Sequence, residues 1–137
     1  MNPYIPTSQS DHGRAEEIQW ARIAASGDAR AGMALILIQK LCTAFHEFAP
    51  AWERGALRSD ALDHFQTRLS ARARRVLQMM EANGLGTLDG VETLRDLLGE
   101  IEDAESLAAL AALAEPIHAV NHALTDALGA AVRVEEG

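Results

Sequence analysis

Leu62, Phe65, Leu69, Ala73, Val76 and Met80 recur at spacings of three and four residues. At the period of an α-helix they share one side, whereas a strand would scatter them over both faces. The segment therefore predicts an amphipathic helix, and this stripe constrains the chain more than any other feature. Ser59 opens it, with Asp60 and Asp63 in the first turn, where side-chain oxygens meet unpaired backbone N–H groups. Asn83-Gly84 closes it as a C-cap. A helix with one apolar stripe must bury that stripe against another element, and the rest of this chain offers only more helices.

A second helix is predicted over residues 29–49, with Asp28 as its cap. Its apolar positions, Ala34, Leu37, Ile38, Leu41, Cys42, Phe45, Phe48 and Trp52, cover nearly half the circumference, as in a central helix touching several neighbours. Pro50 is expected to stop or kink it. Val91, Leu94, Leu98 and Ile101 predict a fourth helix, opened by Thr87 or Asp89, with Glu92 three residues after Asp89 in the manner of a capping box. The stretch GEIEDAES reads as a turn or break. A last helix is expected over residues 105–128, kinked or restarted at Pro116 and ended by Gly129. A short first helix over 14–26, stopped by Gly27, lacks a clean stripe. Twenty-six alanines suit close helix packing, since alanine has the best helix propensity. No stretch has a strand's alternation. The sequence thus predicts an all-α fold: a small helical bundle of four to five helices forming one domain over residues 14–129. A flexible tail over 1–13 precedes it, and a frayed tail over 130–137 follows.

Net charge is −8, unevenly distributed: residues 1–80 carry ten Lys/Arg and eight Asp/Glu, residues 81–137 two and twelve. Such a chain is repelled by nucleic acid and anionic lipid, so neither is expected as a partner. The N-terminus lacks the basic and apolar regions of a secretory signal, and no apolar run approaches a membrane span, so a cytoplasmic location is expected. Cys42, the single cysteine, excludes an intramolecular disulfide and reads as a small buried apolar residue. Eleven arginines against one lysine, with abundant alanine, suggest a GC-rich bacterial genome.

Chemistry concentrates in EPIHAVNHALTD. Glu115, His118, His122 and Asp126 fall within about 80° of arc on one helix, the arrangement that presents several ligands in a row. The large apolar residues of the same helix, Ile117, Val120, Leu124 and Leu128, lie on its opposite side, so the four polar residues are expected to face away from the core. Ligands of di-metal bundles project inward and need a second Glu-x-x-His; this chain has one, at Glu115 and His118. The remaining metal option is a site on the surface or between subunits, using His118 and His122 with Glu115 or Asp126. His46 and His64 are read as solvated residues. The expectation is that no cofactor is bound.

His122-Ala-Leu followed by Gly129 is similar to the motif of histidine phosphotransfer domains. That resemblance implies a helical bundle with one exposed, phosphorylatable histidine. Thr125 and Asp126 stand where that family has Lys-Gly, and Asp126 would repel a phosphoryl group.

RLSARARR is the only basic cluster. Arg68, Arg72 and Arg75 share one side of the third helix while Arg74 points elsewhere; the cluster suits either the chain's own acidic half or an acidic partner. Trp20 and Trp52 are candidates for inter-helix packing or for an interface. Met33 and Ile36 fall on the otherwise polar side of the second helix, where exposed apolar residues imply a covering element or subunit. With no nucleophile elbow or phosphate loop, the expected function is non-enzymatic: a protein–protein interaction domain that regulates, adapts or inhibits a larger assembly. It is expected to self-associate and to use Arg68, Arg72, Arg75, Trp20, Trp52 and Ile36. A metal-binding helical protein and a phosphotransfer-like bundle are the alternatives.

Overall fold

Helices are the only regular elements among residues 20–58 and 60–132, the residues described by the structure, a computed structural model. Residues 20–26 (α1) precede α2 (Ala29–Glu53), α3 (Ala61–Ala82), α4 (Val91–Asp103), the short α5 (Leu107–Ala111) and α6 (Ala114–Ala131). Helix α2 packs on α3 and α6, and α4 packs on the same two, which closes a ring of four; α5 rests on α2 and α3. The architecture is the expected all-α bundle. Among the described residues, no helix is long and apolar enough to cross a membrane. The expected tail over 1–13, residues 133–137 of the expected tail over 130–137, residues 14–19 of the first helix, and Ser59 lie outside the described residues.

The α3 stripe behaves as its spacing dictates, with Leu69, Ala73, Val76 and Met80 wholly buried and Phe65 packed at their edge. Phe65 meets Phe48 of α2 with ring centroids 5.0 Å apart. From α4 and α6, Leu94, Ile101, Ile117, Leu124 and Leu128 complete the centre. Burying a side chain of this size stabilises by about 1.5–3 kcal/mol before conformational entropy is counted. Asp28 caps α2 by accepting from the N–H groups of Arg30 and Ala31 at 3.0 and 3.2 Å. The end of α3 follows the expectation: Gly84, at φ +74°, lets the Gly84 and Leu85 amides turn back to the carbonyls of Glu81 and Met80, a Schellman closure.

Several expectations are corrected. Helix α2 runs through Pro50 to Glu53 and does not stop at Ala49. Proline lacks the N–H that would meet the His46 carbonyl, but Phe48 beside it is fully buried, and the packing holds the turn. Neither Thr87 nor Asp89 caps α4; the position before Val91 is Gly90 at φ +96°, approached by Leu124 of α6. A side chain there would meet Leu124, so close packing decides this boundary over capping chemistry. The long last helix is two helices, and the break falls at residues 112–113 rather than at Pro116. Pro116 is the third residue of α6, where its missing N–H would have had no helical partner. Gly129 does not end α6; it is buried within the helix, which continues to Ala131, and Val132 is buried too.

At the α4–α5 junction, Gln66 of α3 reaches across, its Nε2 within 2.8–2.9 Å of the carbonyls of Ile101, Glu102 and Ala104. Ser106 then caps α5 through the Ala109 amide. The acidic stretch GEIEDAES is thus helical to Asp103 and broken at residues 104–105.

Candidate metal centre

Residues four apart on a helix stand one turn apart on one flank. Cys42 and His46 form such a pair on α2, and His118 and His122 form another on α6, which packs against α2. The two flanks face each other. Donor atoms of Cys42, His46 and His118 all lie within 4.8 Å of one another. The His46 and His118 rings meet edge to face at 6.5 Å. His122 joins from the next turn: its Nε2 lies 3.2 Å from Nε2 of His118, with the rings nearly perpendicular and centroids 4.6 Å apart. In that contact one ring nitrogen donates and the other accepts.

Cys42 and His122 are half-buried, whereas His46 and His118 are exposed. Cys42, His46 and His118 border an open cleft of about 280 Å³. Its walls are apolar, from Phe45, Ala49, Pro50, Ala114 and Ile117, with the exposed carboxylates of Glu53 and Glu115 at its edge.

The expected ligand row along α6 is therefore rearranged. His118 and His122 do lie off the core; His118, although exposed, borders the cleft against the flank of α2, and His122 stands against His118. Glu115 lines the same cleft without entering the cluster, and Asp126 is exposed one turn beyond His122, outside it. Cys42 and His46, read from sequence as a buried apolar residue and a solvated histidine, supply the missing donors. Their signal was present as a Cys-x-x-x-His spacing that matches His-x-x-x-His on α6. His122, the histidine of the phosphotransfer-like motif, is half-buried with His118 against its ring nitrogen. His64 lies on another helix, edge-on to Phe65.

The interaction residues fall elsewhere. Arg68 pairs with Glu47 at 2.8 Å, and Arg74 pairs with Glu102 of the acidic stretch. Arg72 and Arg75 border grooves beside Leu37 of α2. Trp52 is half-buried against the core, whereas Trp20, Met33 and Ile36 are 38%, 48% and 46% exposed. Compared with known proteins, the chain matches no family model, no curated protein and no solved structure.

Proposed function

We propose that this chain is a non-enzymatic, transition-metal-binding helical domain in which Cys42, His46, His118 and His122 hold one Zn²⁺ and so tie α2 to α6. The observation that carries the reading is the convergence of Cys42, His46 and His118 donor atoms within 4.8 Å. A thiolate with imidazoles is a donor set for Zn²⁺ and its neighbours in the first transition row, whereas Mg²⁺ and Ca²⁺ require oxygen ligands. Four protein ligands close a tetrahedral shell, the form of structural and regulatory zinc sites rather than of hydrolytic ones. Because the ligands must shed protons to bind, uptake weakens in acid.

Cobalt(II) substitution tests the assignment. Titrating the reduced, metal-free chain with Co²⁺ should produce the intense visible bands of tetrahedral coordination together with a thiolate-to-cobalt charge-transfer band, saturating at one ion per chain. Cys42→Ser should abolish the charge-transfer band, and His118→Ala should weaken all bands. A spectrum of pale octahedral cobalt, or one unchanged by Cys42→Ser, would sink the reading.

A further inference from the structure

The opposite flank of α2 carries a different chemistry. Met33, Ile36, Leu37 and Lys40 follow at i, i+3, i+4 and i+7, so they form one row about 10 Å long. Trp20, Met33 and Ile36 are the large apolar side chains exposed among the described residues, and all belong to this row or its edge. Trp20 and Ile36 border a hollow over Gly32. Met33 and Leu37 border a second groove against Met79 and Arg75 of α3, and Leu37 and Lys40 extend that groove to Arg72.

The charged residues along the α3 side of this groove are cationic, with the neutral Gln78 beside Arg75, while Asp28, paired with Arg30, borders the hollow at Trp20. Among the described residues Lys40, Arg72 and Arg75 have no ion-pair partner, whereas Arg68 and Arg74 on the same helix have one each. The Nε of Arg72, like that of Arg68, is buried and has no acceptor among the described residues. Lys40 and Arg75 are exposed, open to a carboxylate brought from outside, and charge-assisted hydrogen bonds of this kind are the stronger ones.

We infer that this α2–α3 groove is a docking site for an acidic amphipathic helix of a partner protein. Its apolar side chains, spaced three and four residues apart, would lie along Met33, Ile36 and Leu37, and its Asp or Glu residues would reach Arg72, Arg75 and Lys40. An apolar floor gives affinity, and the three cations select an acidic helix over a basic one. Nothing in this inference depends on a bound metal.

The test uses the full chain and two labelled synthetic helices of identical leucine pattern, one with glutamates on its flanks and one with lysines, followed by fluorescence anisotropy. The glutamate peptide should bind, and its affinity should fall as salt rises. Arg75→Glu, Lys40→Glu and Ile36→Ser should each weaken it by about tenfold or more while circular dichroism shows an unchanged helical fold. The lysine peptide should fail to bind. Equal binding of both peptides, or of neither, overturns the inference. So does a peptide-free dimer in light scattering that Ile36→Ser dissolves, since a second copy would then fill the groove. Much tighter peptide binding after deletion of residues 1–19 likewise overturns it, in favour of the chain's own N-terminal segment.

Discussion

Zinc should raise the melting temperature of this chain, and the rise should depend on both helices. In a tetrahedral shell with bonds of about 2.0–2.1 Å to nitrogen and about 2.3 Å to sulfur, neighbouring nitrogens lie about 3.3 Å apart and nitrogen and sulfur about 3.6 Å. The His118–His122 edge already measures 3.2 Å. The donors of Cys42, His46 and His118, within 4.8 Å of one another, need to close by about 1.5 Å at most, and His122 must swing toward Cys42 and His46 from beside His118, adjustments that fall to side-chain rotation. Binding should therefore favour the folded state, where the donors are gathered, over the unfolded chain. Free zinc at a hundred times its dissociation constant adds about 2.7 kcal/mol to stability. For a chain of this length, at roughly 3 °C per kcal/mol, the melt should shift by about 8 °C. The assay is thermal unfolding by circular dichroism in a non-chelating reductant, with excess EDTA or with buffered zinc. Cys42→Ala, His46→Ala, His118→Ala and His122→Ala should each remove most of the shift. The EDTA baseline of the exposed-histidine variants should move by no more than about 0.5 kcal/mol. Glu115→Gln and Asp126→Asn should keep the full shift. A zinc shift that survives both Cys42→Ala and His46→Ala, or that vanishes in Asp126→Asn, would refute the ligand set.

Other expectations concern the scaffold. Gly90→Ala should destabilise by about 2 kcal/mol, from a left-handed φ and from a Cβ placed 3.1 Å from Leu124; urea titration should show a lower midpoint with an unchanged slope. Asp28→Ala should cost about 1 kcal/mol as a lost cap. The Ala31 amide, and then the Arg30 side chain, hold the Asp28 carboxyl below its ordinary value of 3.8, so its stabilisation is full above that pH and is lost as pH falls through the lower, folded value. The stability gap between wild type and Asp28→Ala should accordingly narrow below about pH 3.8 in acid titrations. Gln66→Leu should cost about 1–2 kcal/mol in the same urea assay, because the carbonyls that end α4 lose their donor.

Helical periodicity carried the bundle because each stripe reports its own helix's buried side, and the α3 stripe and the Gly84 closure needed nothing else. Boundaries set by neighbours were not legible. Gly90 is required by Leu124, and the stop at Asp103 rests on Gln66, contacts that no local pattern contains. The candidate centre failed to emerge for the same reason. A helical wheel places His118 and His122 opposite Leu124 but does not say which helix lies along their flank. Cys42 was assigned to the apolar face of α2, although its position one turn before His46 puts it at the edge turned to α6. Two i, i+4 donor pairs on separate helices were the available signal, and only the packing of α2 on α6 joins them.

The amide of Gln66 has a further consequence during synthesis. It lies 35, 36 and 38 residues ahead of the carbonyls of Ile101, Glu102 and Ala104 that it serves. A chain emerging from its N-terminus presents this donor well before its acceptors exist. Until α3 is formed and laid against α4, the end of α4 has no fixed place, and the α4–α5 corner sets only when that pair is assembled. The α3–α4 hairpin is thus the unit that fixes where the chain leaves α4 and enters α5.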